Sequence, residues 1–202
     1  VQTALGLRRH NHEFYASSPE TGYELGVTGG FYDKKWLSDF TAQKYTIHGE
    51  VLANVGGFSP PVLVAGFRMQ GISTVTSNPD ELPSSLRDFF GGSRDMRGFA
   101  RGELPNNEGG SLSSWYSGLE FRHIIASFSY VQPLVFVDAI KTGRESVSLD
   151  KPLYWSPGLG ARLELPFFVI RLTAAKGFIE NPDPDLSPGS HWQFYLSLGE
   201  EF

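Results

Sequence analysis

The 202-residue sequence contains no cysteine, which excludes disulfide bonds and cysteine-ligated metal sites. No apolar run approaches the roughly 18 residues of a membrane-spanning helix. The formal charge is −5 and no basic run occurs, so nucleic acid is not expected as a partner. No stretch has helical periodicity and no internal repeat is evident. These absences leave an all-β protein, either soluble or crossing a membrane with strands.

The residues that are abundant favour strands and turns. Aromatic residues make up 14% of the chain, and there are 23 glycines and 13 prolines. Apolar and polar residues alternate with period two, which predicts strands at 3–12, 23–32, 40–53, 62–73, 112–124, 127–140, 157–166, 168–178 and 191–201. Several exceed ten residues, whereas globular strands average about five or six and tilted outer-membrane strands need about 9–11. Strand length therefore favours a transmembrane barrel.

The two faces of the predicted strands differ in charge. In the segment 158–165, Leu159 and Leu163 alternate with Arg162 and Glu164. The same alternation places further charged residues opposite apolar neighbours: Arg68, Glu120, Arg122 and Arg171. A soluble sandwich also alternates, but a charged interior facing an apolar exterior is typical of a membrane barrel.

The last predicted strand is amphipathic and ends on an aromatic residue. One face carries Trp192, Phe194, Leu196 and Leu198, and the chain ends at Phe202. This arrangement resembles the sorting signal of bacterial outer-membrane barrels. The alternative is a last core strand that happens to end in phenylalanine.

A long segment without strand alternation, residues 74–111, contains the sequence GGSRDMRGF at 91–99. A loop of this length is normally functional or disordered. Its apolar residues argue against disorder: Leu86, Phe89, Phe90, Met96 and Phe99.

The glycine pair and the tripeptide that follows resemble a known signature. Phe89-Phe90-Gly91-Gly92 followed by Met96-Arg97-Gly98-Phe99 is similar to the lid-loop motif of the BamA/TamA superfamily of outer-membrane barrels, the bacterial surface antigen family. After the lid motif, the strands around Glu120 and Asp138 and the terminal strand follow in the family's order; before it, residues 18–22 resemble the family's Pro-x-x-Gly turn. Met96 stands where the family usually has Val or Leu, and Ile140 where it usually has Gly.

The resemblance covers essentially the whole chain, but only the C-terminal half of the family's 16-stranded barrel, and it includes no periplasmic domain. It implies residence in the bacterial outer membrane, with lipid as the surrounding partner. The expected fold is a single domain over 1–202, an antiparallel sheet of about eight strands, or nine. Strand parity between the chain ends favours eight.

The resemblance further implies that the lid loop, about 74–111, folds into the lumen. Arg97 would then pair with Glu120 and Asp138 on adjacent strands, since the planar guanidinium fork can bind two carboxylates. Gly91, Gly92 and Gly98 would act as hinges, and Gly98 would let the backbone approach the wall. The alternative is a solvated Arg97 worth little. Arg94 and Asp95 are expected to be solvated.

Catalytic and metal sites find little support in the sequence. His10 and His12 share a face if 3–12 is a strand, but two imidazoles without a third ligand make a thin metal site. No Gly-x-Ser-x-Gly motif occurs, and His48 with Glu50 is the nearest approach to a catalytic pair. We therefore expect no enzyme, no cofactor and no metal.

A sheet of this size allows three architectures: a small closed barrel, a fragment of a larger barrel, or several copies paired edge to edge. A small barrel is filled by side chains and cannot hold the lid loop. An open sheet in lipid leaves backbone groups unsatisfied at both edges. The prediction is therefore a homo-oligomer joined through strand edges around a polar lumen that lipid could enter, with a pore-like or membrane-structural role. The alternatives are a BamA-type insertion or translocation factor, or the barrel anchor of a patatin-type phospholipase fusion.

Overall fold

The computed structural model describes residues 1–11, 20–35, 38–59, 61–105, 109–125, 131–165, 168–180 and 191–199. The strands are β1 (Gln2–Asn11), β2 (Thr21–Tyr32), β3 (Ala42–Val55), β4 (Leu63–Thr76), β5 (Ser113–His123), β6 (Val131–Gly143), β7 (Tyr154–Leu165), β8 (Phe168–Lys176), β9 (Phe178–Ile179) and β10 (Trp192–Leu198). Two 3-10 turns, Pro79–Glu81 and Ser84–Leu86, lie between β4 and β5. Within the described residues, no helix is long and apolar enough to cross a membrane.

All described strands belong to one antiparallel sheet, which confirms the predicted all-β antiparallel architecture. Its order is β1-β2-β3-β4-β5-β6-β7-β8-β10, and the short β9 pairs with β7. Except for β9, the strands therefore pair in the order in which they follow one another along the chain, as in an antiparallel meander.

The preference for eight strands is wrong, because the described part of the chain has nine long strands and one short one. β1 pairs with β2 along its whole length, from Gln2 opposite Gly30 to Asn11 opposite Thr21. The preference for eight depended on where the chain ends lie relative to the membrane. Because β1 pairs fully with β2, it counts as a ninth long strand whatever the position of the chain ends.

The sheet is open. Among the described residues, β1 pairs only with β2, and β10 pairs only with β8. A small barrel closed on itself is therefore not the architecture of this chain. The backbone groups on the outer edges of these two strands are available to other strands.

The two faces of the sheet have different environments. In β6, Val131, Val135 and Val137 are exposed on what we term the outer face, whereas Leu134 and Asp138 are buried on the inner face. β-branched and aromatic residues favour this pleated geometry. The outer face carries most of the exposed large apolar residues, and the inner face carries most of the charged residues.

The two ends of the sheet also differ. At one end, here called the turn end, the connections are short: 56–62, 124–130 and 166–167. At the other, the loop end, they include 77–112, 144–153 and 177–191. The lid loop, predicted at about 74–111, spans 77–112 and covers the inner face. Its main core cluster is Phe90, Met96, Phe99, Leu104, Tyr116, Ile140 and Tyr154.

Candidate functional site

The lid loop has a defined backbone structure despite lacking long strands. Isolated β-bridges join Asp88 to Ser111 and Phe90 to Leu104, so the loop doubles back on itself. At its tip, the Asp95 carboxylate accepts hydrogen bonds from the backbone N–H groups of Gly91 (3.0 Å) and Met96 (2.6 Å). The expectation that Asp95 is solvated is therefore wrong. The carboxylate fixes the turn that presents residue 97.

A positive backbone angle at Gly91 explains the first glycine of the motif. Its φ is +115°, which residues with a Cβ rarely adopt. A Cβ at this position would also lie 2.1 Å from the carbonyl oxygen of Ala100. The glycine therefore permits both the turn and the close return of the chain.

Arg97 is fully buried between the lid loop and the inner wall. Its Nε and Nη2 donate to the two oxygens of Asp138 at 2.8 and 2.9 Å, and its Nη1 donates to Glu120 Oε2 at 2.8 Å. The backbone N–H of Arg97 also points to Asp138 Oδ2, at 3.3 Å. Glu120 lies on β5 and Asp138 on the neighbouring β6. The arrangement is a bidentate guanidinium–carboxylate pair with a second carboxylate alongside.

Other wall residues extend this network. Tyr116 Oη donates to Asp138 Oδ1 at 3.1 Å and accepts from Arg68 Nη2 at 2.9 Å. Arg171 Nη2 binds Glu120 Oε2. The guanidinium of Arg97 also lies 3.4 Å from the centroid of the Phe136 ring, in cation–π geometry. The network therefore connects the lid loop to strands β4, β5, β6 and β8.

Burial and neighbouring charges shift the pKa values of two lid residues, Arg97 and Asp95. Burial lowers the pKa of Arg97, but the carboxylates of Asp138 and then Glu120 outweigh it, so the pKa is raised above its ordinary value. Burial also raises the pKa of Asp95, against the opposing hydrogen bonds from Met96 and Gly91. Arg97 therefore stays charged under all ordinary conditions.

Gly98 and Phe99 bring the lid loop against β7 and β10. A Cβ at residue 98 would lie 2.5 Å from Ser156 Cβ and 2.6 Å from the backbone N of Gly177, so no side chain fits. The Phe99 ring meets Tyr154 edge to face, with centroids 5.9 Å apart. Tyr195, on the last strand, donates from Oη to the carbonyl oxygen of Phe99 at 2.6 Å.

The structure brings most of the predicted site residues together: Gly91, Gly92, Met96, Arg97, Gly98, Phe99, Glu120 and Asp138. Met96 is fully buried in the main core cluster. The terminal-strand residues Trp192, Phe194, Leu196 and Leu198 lie exposed on the outer face of β10. Phe202 lies outside the described residues.

The sequence did not indicate the roles of Tyr116, Phe136 and Tyr195, and it placed Arg68 and Arg171 on the charged face without assigning them to the lid contacts. Period two already placed Tyr195 on the polar face of the last strand, so its side was predictable but its contact was not. No group of three or more His, Asp or Glu side chains in the described ranges could hold a metal ion.

A long-stranded antiparallel sheet with an apolar outer face, a charged inner face and a lid pinned to that face defines the membrane barrel of an outer-membrane protein. The family model for the Omp85 superfamily domain matches residues 8–202, and the chain belongs to this superfamily, which confirms the resemblance to the BamA/TamA barrels. It is integral to the bacterial outer membrane. No curated protein matches the sequence.

Proposed function

We propose that this chain is the membrane-embedded part of a BamA-type factor that inserts or translocates polypeptides at the outer membrane. The observation that carries the proposal is the pair of open sheet edges, on β1 and β10. In lipid, unpaired backbone N–H and C=O groups cost several kcal/mol each, so such edges must find partners. An extended segment of another polypeptide can supply them by adding a strand to the sheet.

The lid loop supports this role by dividing the sheet into a fixed and a freer part. Arg97 joins the lid loop to β5 and β6 through Glu120 and Asp138. The lid loop reaches β10 only at its tip, where Tyr195 donates a hydrogen bond to the carbonyl oxygen of Phe99, among the contacts of the described residues given above. Strands β5 and β6, which are bound to the lid loop, would stay in place while the edge strands β1 and β10 accept and release an added strand.

A second candidate follows from the same edges. Two or more copies could pair β1 of one with β10 of the next, forming a composite barrel around the polar inner face with a pore-like or membrane-structural role. The open sheet favours it, because each copy then satisfies the backbone groups of its neighbour. Membership of the Omp85 superfamily, whose proteins generally act in membrane transport and insertion, favours insertion instead.

The two candidates separate in a photocrosslinking experiment. A photoreactive amino acid at Leu5 of β1 or at Leu196 of β10 reports what lies beside each edge, and Leu119 of β5, which has partners on both sides, is the control. Insertion predicts crosslinks from both edges to an added unfolded barrel polypeptide. Crosslinks between copies alone, in the presence of that polypeptide, would favour the composite barrel. Edge positions that react no more than Leu119 would reject both.

A further inference from the structure

The β6–β7 loop, residues 144–153, bends over the outer face instead of the lumen. The carbonyl oxygen of Ser146 accepts a hydrogen bond from Ser73 Oγ (2.5 Å), and that of Ser148 accepts one from Ser113 Oγ (2.6 Å). Ser73 and Ser113 are directly paired across β4 and β5, and both lie on the outer face. The loop is therefore fastened at two points above that face.

Gly143 makes this bend possible. A Cβ there would lie 1.5 Å from the carbonyl oxygen of Ser148. Any side chain at this position would push the loop off the sheet. The position of this loop over the outer face therefore requires glycine at residue 143.

Between the overhanging loop and the sheet lies a cavity of about 330 Å³, here called the outer groove. Its walls include Val27, Ile47 and Trp115, and Val147 and Leu149 of the loop form its roof. Gly71 forms part of the floor, where a Cβ would lie 3.0 Å from Trp115 Cε3 and 3.1 Å from Ile47 Cγ2. The groove is of ordinary small-ligand size (about 300–1,000 Å³) and mostly apolar.

We propose that the outer groove binds one acyl chain of a phosphate-bearing membrane lipid, with the phosphate beside Lys141. The groove is continuous with the apolar outer face, which contacts lipid in an integral outer-membrane protein. Lys141 is exposed and lies directly opposite Trp115 in the ladder of β5 and β6. Long loops mark the extracellular end of such barrels, so this ammonium lies near the headgroup level.

The roof residue Val147 supports a lipid ligand. Its exposed fraction is 86%, among the highest of the large apolar residues, and it lies between hydroxyl-anchored backbone groups. Exposure of an aliphatic side chain at a fastened loop tip favours insertion among acyl chains over contact with water. The inference is independent of the proposed insertion function.

Tryptophan fluorescence tests the proposal directly. A variant that keeps only Trp115 (Trp36→Phe, Trp155→Phe, Trp192→Phe) is titrated in detergent with brominated phosphatidylglycerol, whose bromines quench nearby indoles. The matched control keeps only Trp155, which is similarly exposed on the outer face near the same end of the sheet. We expect saturable quenching of Trp115 with a half-saturation concentration about tenfold below that of Trp155. Parallel quenching of the two would overturn the proposal.

Three substitutions and one control locate the ligand. Gly71→Leu in the Trp115-only protein should remove the saturable quenching, whereas Ala65→Leu, on the outer face of the same strand but away from the groove, should not. Val147→Asp, at an exposed position, should weaken quenching without affecting the sheet. Lys141→Gln should raise the half-saturation concentration about threefold. Unchanged titrations in Gly71→Leu and Val147→Asp would overturn the groove, and an unchanged Lys141→Gln titration would overturn the headgroup contact.

Discussion

Replacing Arg97 with alanine should release the lid loop from the inner wall. The substitution removes three side-chain hydrogen bonds and leaves Glu120 and Asp138 buried, with exposed fractions of 1% and 0%. Removing one partner of a buried ion pair costs about 3–5 kcal/mol, because the remaining charge is uncompensated. Tyr116 still donates to Asp138, and Arg171 still binds Glu120, which places the expected cost at the lower end.

Trypsin can measure this release, because Arg94 and Arg101 are exposed and flank the buried residue. A loss of about 3 kcal/mol raises the open population of the lid loop roughly a hundredfold. When opening and closing are fast relative to cleavage, the cleavage rate after Arg101 rises by the same factor. The cleavage rate of Arg97→Lys should lie between those of the unaltered protein and Arg97→Ala, since one ammonium cannot reproduce the bidentate guanidinium fork.

Arg94→Ala is the matched control, because it removes an exposed charge from the same loop without touching the wall. Its cleavage rate after Arg101 should equal that of the unaltered protein. Equal rates in Arg97→Ala, Arg94→Ala and the unaltered protein would refute the pairing as an energetic anchor. Cleavage throughout the strands would instead indicate general unfolding.

Three further substitutions test the surrounding contacts. Gly98→Ala should destabilise the lid loop by about 1–3 kcal/mol, because its Cβ would overlap Ser156 and the backbone of Gly177, and trypsin cleavage reports it. Tyr195→Phe should cost about 1 kcal/mol by removing the hydrogen bond to Phe99, which faster amide hydrogen exchange in β10 would show. Asp95→Asn should abolish part of the pH dependence of lid protection. The pKa of Asp95 is raised in the fold, so the folded loop takes up its proton first, and protection should increase as pH falls towards the ordinary aspartate range.

For each of the three substitutions, a specific result would contradict the expected contact. Gly98→Ala with unchanged cleavage would mean that the lid loop approaches the wall less closely. Unaltered exchange in Tyr195→Phe would mean that the lid loop and the last strand are not coupled. Asp95→Asn with the same pH profile as the unaltered protein would assign the dependence to other groups.

The antiparallel sheet could be predicted from the sequence because the alternating pattern repeats along nearly every strand. Period two, strand length and charge on one face all depend on local spacing, and they gave the antiparallel sheet. The number of strands was predicted less well, because strand parity between the chain ends outweighed the predicted strand at 3–12, which the structure shows as β1. Its pairing with β2 depends on backbone hydrogen bonds that no side-chain pattern reveals.

The lid contacts were predictable only where a motif marks them. The order of the lid tripeptide, Glu120 and Asp138 indicated which residues could meet. Tyr195 reaches Phe99 across almost a hundred residues of chain, and the overhang of residues 144–153 depends on backbone carbonyls. Contacts of both kinds join segments that are distant in the chain, and local sequence does not specify which segments meet.

Hydrogen exchange at the sheet edges tests the insertion proposal in a single measurement. The purified protein is labelled in detergent with and without an unfolded outer-membrane barrel polypeptide, and the amides of β1 and β10 are compared with those of β5, which has partners on both sides. We expect the edge amides of β1 and β10 to exchange rapidly alone and to become protected when the polypeptide is added. Edge amides that are already as protected as β5 in the purified protein, and that do not change on addition, would contradict it.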